Sequence, residues 1–84
     1  MNVRHIKDDI IYLLNVKERT VAITGCFPGI VEVFIPRSII YNSIEYVVTT
    51  ILKNSFNKSK IKSIKFANDS KVKVIEEKRH LKIH

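Results

Sequence analysis

The fold is decided by residues 47–75, which read VVTTILKNSFNKSKIKSIKFANDSKVKVI. In this stretch the interval from Val48 to Val72 is the same as the interval from Ile51 to Ile75. A fixed period in the twenties is typical of repeat proteins whose units bury their apolar faces against each other. The stretch therefore predicts one complete structural repeat and the start of a second.

The local residue patterns predict how one repeat is built. Residues 64–66 alternate between apolar and polar, which suits a short strand with one buried face. Residues 54–57 are too few for a full helix, so they predict a single turn that places Phe56 in the core. Residues 67–70 predict a turn, because Asn, Asp and Ser side chains bind neighbouring backbone groups.

Taken together, these elements resemble a BspA-like leucine-rich repeat. The resemblance covers residues 30–76 and lies in Ile35-Pro36-Arg37-Ser38-Ile39, Val48-x-x-Ile51-x-x-x-Ser55-Phe56 and Ile61-x-x-Ile64-x-Phe66. It implies a right-handed, β-rich solenoid that binds proteins and catalyses no reaction. The family pattern has a small residue and Phe where this chain has Arg79 and His80. The resemblance is therefore to a short, degenerate or truncated member.

The residues before the repeat predict a β-meander that caps the end of the repeat core. Two hairpins are expected, with a strand at 30–35 between them. The first joins residues 10–15 to 20–24 and the second joins 38–41 to 45–50. Asn42 suits the second turn, because asparagine tolerates a positive φ. The fold class is thus mainly β, with a β-meander or hairpin cap leading into a short leucine-rich-repeat solenoid.

A chain of 84 residues predicts a single domain. Its expected parts are a loosely attached segment at 1–9, a β-meander cap at 10–51, a repeat unit at 52–76 and a charged tail at 77–84. The tail reads either as an edge strand or as a helix, and the alternation of Leu81 and Ile83 favours the strand.

The net charge of +7 is concentrated near the C-terminus. Residues 1–52 hold five basic and five acidic side chains, whereas 53–84 hold ten basic and three acidic ones. This asymmetry favours an acidic protein, nucleic acid, acidic glycan or anionic membrane as partner. The candidate site is a basic face of six lysines: Lys58, Lys60, Lys62, Lys65, Lys71 and Lys73. A solvated strand face, on which lysine prevents edge pairing, explains the same pattern equally well.

Residues that could support catalysis or hold a metal ion are sparse. Glu76, His80 and His84 would share one face of a helix, but two histidines without a nearby cysteine make a poor zinc site. Cys26 is the single cysteine, and nothing places His5 beside it as a base. A small, buried apolar role suits this cysteine better. We therefore expect no cofactor, no metal site and no enzymatic activity.

The sequence is compatible with several functions. The first is a non-catalytic protein-interaction module that binds an acidic partner or assembly surface through the basic face. The alternative is a small basic subunit that binds RNA or another polyanion within a larger complex, and a third is a truncated adhesin fragment. An incomplete second repeat would also expose apolar residues and a strand edge, which favours self-association into a homo-oligomer.

Location is equally open. The sequence has no recognisable signal peptide and no apolar run long enough to span a bilayer. The default expectation is therefore cytoplasmic, although related repeat proteins are often found at the cell surface.

Overall fold

Two β-sheets account for the regular structure of residues 2–53, 55–56, 61–76 and the backbone of 82–83, the part of the chain that the computed structural model describes. The first sheet contains β1 (Asn2–Lys7), β2 (Ile10–Asn15), β3 (Thr20–Cys26), β5 (Ser38–Tyr41), β6 (Ile44–Ile51) and β8 (Val74–Ile75). The second sheet contains β4 (Glu32–Ile35), β7 (Ser63–Phe66) and β9 (Lys82–Ile83). The mainly β fold class is confirmed.

The order of the strands shows how the chain winds. The first sheet runs β1-β2-β3-β6-β5, with β8 beside the second half of β6, and the second sheet runs β4-β7-β9. β3 pairs with β6 in parallel, β6 with β8 in parallel, and both pairs of the second sheet are parallel. The chain thus passes from the first sheet to the second three times, as β3–β4, β6–β7 and β8–β9. Each of these three coils adds one strand to each sheet.

The period found in the sequence appears directly in the pairing of β6 with β8. Thr50 pairs with Val74 and Ile51 pairs with Ile75, both in parallel register. Equivalent positions of successive coils are therefore neighbours, as expected when repeat units bury their apolar faces on one another.

The core lies between the two sheets and is filled by the inward-facing residues of both. Its fully buried members include Leu14, Val21, Ile23, Val33, Ile35, Val48, Ile51, Phe56, Ile61 and Ile64. Burying one such side chain contributes roughly 1.5–3 kcal/mol. Phe56 is completely buried beside a turn at 55–56, as the sequence predicted. Lys65 is exposed between buried Ile64 and half-buried Phe66, which confirms the alternation expected for this strand.

Ser55 is a buried polar residue, and its hydroxyl links two coils. Its Oγ lies 2.8 Å from the carbonyl oxygen of Ile23 and 2.6 Å from that of Leu52. Each carbonyl also accepts a backbone amide hydrogen, Ile23 from Leu52 at 2.9 Å and Leu52 from Ser55 at 3.2 Å. Because a hydroxyl carries one proton, Ser55 donates to one of the two carbonyls at a time.

Both predicted hairpins are present, as β2–β3 and β5–β6. Asn42 and Ser43 have φ values of 51° and 65°, which a two-residue hairpin turn requires. In place of the loosely attached segment expected before residue 10, Asn2–Lys7 forms β1 and pairs with the whole of β2. Its half-buried inward positions are Val3 and His5. The histidine interrupts the apolar alternation by which a strand is recognised in a sequence.

The cap and the repeat overlap in the chain. β1 and β2 form an antiparallel cap beside β3, but β3 already pairs with β6 in parallel, and β4 pairs with β7 in the same way. Residues 20–35, expected to belong to a β-meander, are therefore also the first coil of the repeat stack.

The first sheet is strongly curled, because side chains from its two ends meet. The ring of His5 on β1 lies 5.2 Å from the ring of Tyr41 on β5, in an edge-to-face arrangement. Tyr41 in turn lies 6.4 Å from Tyr46 on β6. Tyr41 is partly buried and packs against the core.

Candidate binding face

Four of the six predicted lysines fall in the described part of the chain, and all four are exposed: Lys62, Lys65, Lys71 and Lys73. Lys58 and Lys60 lie outside the described residues. Lys65 points outward on β7, and Lys62 precedes this strand. Lys71 and Lys73 follow on the segment that returns to the first sheet as β8. The lysines thus follow the chain from the second sheet toward the first.

Backbone hydrogen bonds fix the chain at two of these lysines. The amide of Lys62 donates to the carbonyl of Val31 at 2.7 Å, and the amide of Lys73 donates to the carbonyl of Thr49 at 3.0 Å. The ammonium groups are nevertheless free to reach solvent, since the residues themselves are exposed. The backbone of the basic face is therefore ordered while its charges remain accessible.

The acidic residue within this segment is already engaged. Asp69 lies in the turn between Lys65 and Lys71, and its carboxylate is 3.4 Å from the guanidinium of Arg37. Both side chains are largely exposed, so the pair contributes little to stability. Among the residues described, none of the four lysines forms an ion pair with a carboxylate. Their positive charge is therefore not neutralised by direct contacts within this part of the chain.

An exposed aromatic side chain, which no local sequence pattern indicates, lies beside the basic face. Phe34 on β4 is 56% exposed and stands in register with Lys65 on β7. At the next outward-facing pair of the same two strands, the hydroxyl of Ser63 donates a hydrogen bond to the carboxylate of Glu32 at 3.3 Å. The outer face of the second sheet thus combines a cation, an aromatic ring and a carboxylate.

The other candidate residues do not come together. Of the suggested zinc ligands, His80 and His84 lie outside the described residues, and the carboxylate of Glu76 accepts the amide of Lys53 at 3.3 Å. No group of three potential metal ligands occurs within residues 2–53, 55–56 and 61–76. Cys26 is partly buried against the core, in agreement with the apolar role expected for it. His5 belongs to β1, two strands away from the strand that carries Cys26.

Two solved structures share this fold. A leucine rich cell surface protein from Faecalibacterium prausnitzii A2-165 matches 90% of this chain and 24% of its own, with a TM-score of 0.61 and 17% sequence identity. A leucine-rich repeat protein from Bacteroides ovatus ATCC 8483 matches 84% of this chain and 22% of its own, with a TM-score of 0.64 and 22% identity. The chain therefore spans less than a quarter of the length of either protein.

Neither a scan of protein-family profiles nor a search of curated proteins gives a match. In the described part of the chain, no helix has the length and apolar character that crossing a membrane requires. The likeness to these two proteins lies in the fold, with its parallel ladders and the regular period that places Ile75 beside Ile51. The chain has a leucine-rich-repeat fold, as the resemblance to BspA-like repeats implied.

Proposed function

We propose that this chain is a non-catalytic protein-interaction module of the leucine-rich-repeat type, which binds an acidic partner through the basic face defined above. The observation that supports this most directly is the exposure of Lys62, Lys65, Lys71 and Lys73 without a carboxylate partner among the described residues. Lys58 and Lys60 extend the same run of sequence. The repeat fold supports the proposal because its ladders hold the backbone of the segment in place.

The strength of such binding follows from the exposure of the charges. One exposed ion pair contributes about 0.2–1 kcal/mol, so affinity would depend on several lysines acting together. A concentrated positive field also steers an acidic partner toward the face and accelerates association, an effect that salt screens. The proposal therefore predicts binding that weakens markedly as ionic strength rises.

Two variants with the same net charge test whether this face carries the binding. The site variant replaces Lys62, Lys65, Lys71 and Lys73 with glutamine. The matched control replaces four exposed basic residues of the balanced half with glutamine: Arg4, Lys7, Lys17 and Arg19. Fluorescence anisotropy with labelled polyglutamate measures the affinity. We expect the site variant to bind about tenfold more weakly than the control, a difference of about 1.4 kcal/mol. Equal losses would contradict the proposal, because they would reflect net charge alone.

RNA or another polyanion is the second candidate ligand, and Phe34 is the observation that favours it. Single-stranded nucleic acids bind where a basic groove is combined with aromatic rings on which bases stack. Phe34 supplies one exposed ring in register with Lys65. A single ring offers one stacking site, however, and we rank this candidate second for that reason.

Replacing Phe34 with leucine separates the two functions, because leucine keeps an apolar side chain but removes the stacking surface. If single-stranded RNA is the ligand, the variant should lose about 1–3 kcal/mol of RNA affinity. Its affinity for polyglutamate should stay the same. With RNA, the negative slope of log affinity against log salt should also become shallower by about 3 in the four-lysine variant. Tighter binding of RNA than of polyglutamate, together with both of these effects, would favour the second candidate.

A further inference from the structure

One edge of the second sheet is open. β4 pairs with β7 on one side and has no partner strand on the other among the described residues. The carbonyls of Val31 and Ile35 accept hydrogen bonds from backbone amides of the segment around β7. The backbone groups of every second residue, counted from Val31, therefore face β7. Because neighbouring residues of a strand direct their backbone groups to opposite sides, the amides and carbonyls of Glu32 and Phe34 face the open edge. This edge offers two donors and two acceptors for pairing.

A cleft of about 430 Å³ runs along this open edge, between β4 and the turn that joins β1 to β2. Its apolar lining includes Ile10, Ile30, Val33 and Ile39, and its charged lining consists of Lys7, Asp8 and Glu32. The cleft therefore has an apolar interior and a net negative rim, in a chain whose overall charge is +7. The volume is within the range of known ligand pockets.

Tyr12 supplies a polar group to this apolar cleft. The residue is 2% exposed and lines the cleft. In the described part of the chain no side-chain polar atom is fully buried without a hydrogen-bond partner, so the hydroxyl is either paired or reached by solvent through the cleft. Burial, together with the nearby Asp8 carboxylate, raises the pKa of Tyr12 to about 12. A tyrosine hydroxyl is protonated at pH 7 even without this shift, so the cleft combines an apolar wall with a neutral phenol.

We propose that the open edge of β4 binds one extended peptide segment as an additional strand, and that this segment carries alternating basic and apolar side chains. Strand addition to a sheet edge is a recurring mode of peptide recognition, in which backbone pairing gives affinity and side-chain pockets give specificity. The residue opposite Glu32 lies on the outer face and is basic, because the carboxylate of Glu32 lies beside it. The residue opposite Val33 lies on the inner face and is apolar, because it enters the cleft.

The existing partner of β4 on its other side also alternates polar and apolar side chains, with Ser63 beside Glu32 and Lys65 beside Phe34 on the outer face. On β7, Ile64 stands beside Val33 on the inner face, and Lys65 follows it on the outer face. A complete coil from a second copy of the chain does not fit on this side. β2 occupies the place beside β3 that the first-sheet strand of such a coil would take. A single strand added to β4 meets no such obstacle, because among the described residues no strand occupies this side of β4.

The test uses a capped hexapeptide of alternating lysine and valine, with binding followed by isothermal titration calorimetry. In the protein, Phe34→Pro removes one edge-facing amide without removing a hydrogen bond to β7, and Phe34→Val is its control because it keeps the amide. Glu32→Lys reverses the charge beside the edge. Glu18→Lys makes the same change in the exposed turn between β2 and β3, at the opposite end of β2 from the cleft.

We expect Phe34→Pro to bind the peptide about tenfold more weakly than Phe34→Val. Glu32→Lys should weaken binding of the lysine peptide about tenfold and strengthen binding of a matching peptide of alternating glutamate and valine. Glu18→Lys should change neither affinity by more than about twofold. A lysine peptide with N-methylated amides tests the backbone pairing even if a protein variant fails to fold, and it should bind the unmodified chain about tenfold more weakly.

Three outcomes would overturn the proposal. The first is equal binding of the methylated and unmethylated peptides, since strand addition requires the amide donors. The second is an equal response of the Glu32→Lys and Glu18→Lys variants. The third is a dimer in analytical ultracentrifugation that the peptide does not dissociate, because the edge would then be occupied by a second copy of the chain.

Discussion

Replacing Ser55 with alanine tests the hydrogen-bonded link between coils. The hydroxyl is buried and lies 2.8 Å and 2.6 Å from the carbonyl oxygens of Ile23 and Leu52. Alanine removes this donor and leaves the backbone unchanged. The size of the effect depends on what remains for the two carbonyls after the hydroxyl is lost.

Both carbonyls keep a partner. The carbonyl of Ile23 still accepts a hydrogen bond from the amide of Leu52, and the carbonyl of Leu52 still accepts one from the amide of residue 55. Neither group becomes an unsatisfied buried acceptor, so the cost should be the net value of one hydrogen bond, about 1 kcal/mol. With a urea slope of roughly 1 kcal/mol per M for a chain of this size, the midpoint should fall by about 1 M. The melting temperature should fall by about 4–8 °C.

Urea unfolding followed by circular dichroism measures this change, with Ser38→Ala as the control. The Ser38 hydroxyl donates to the Glu45 carboxylate at 2.7 Å, but the pair is exposed, so its removal should cost less than about 0.5 kcal/mol. A loss of about 3 kcal/mol or more for Ser55→Ala would refute the reasoning, because it would show that a carbonyl had lost its partner. An unchanged midpoint would show that the hydroxyl contributes nothing to the link.

Three further predictions concern other parts of the structure. In urea titrations Ile51→Ala should cost about 2–5 kcal/mol, whereas Ile75→Ala, at the paired but 45% exposed position, should cost less than about 1 kcal/mol. Arg37→Ala should change stability by less than about 0.5 kcal/mol, because its pairing with Asp69 is exposed; a larger change in the same titrations would contradict this. The Tyr12 hydroxyl has a pKa of about 12 in the folded chain and 10.0 in the unfolded chain. Its contribution to the free energy of unfolding is therefore complete below pH 10 and is lost as the pH rises through 12. Tyr12→Phe should therefore lose stability less steeply between pH 10 and 12, as urea titrations at a series of pH values would measure.

Local patterns in the sequence predict the elements whose signal is contained in a few residues. The spacing of Ile51 and Ile75 predicts two neighbouring coils, and their register in β6 and β8 confirms it. The hairpin turn at Asn42 is predicted because its backbone conformation depends on that residue and its neighbour. The exposure of Lys62 and Lys65 follows from alternation with buried residues in the same short stretch.

The pairings and the cleft could not be predicted in the same way, because they depend on distant residues. Nothing near Thr20 indicates that β3 pairs with β6 in parallel, since its partner Val47 comes only after β4 and β5 in the chain. Residues 30–35 are almost all apolar, so alternation does not show that Val33 is buried while Phe34 is exposed. The cleft lies between β4 and the turn after β1, and no local sequence signal joins these two segments.

The parallel pairing of distant strands also determines how the chain folds. The β1–β2 and β5–β6 hairpins close across two-residue turns and can form within about 1–10 μs. By contrast, Thr20 must find Val47, and Glu32 must find Ser63 one full coil further along the chain, before the coils can stack. Closing loops of this length before their contacts form makes this step slow. The chain should therefore pass through a stage with formed hairpins and unpaired β3 and β6 edges, and dilution during refolding should reduce aggregation from that stage.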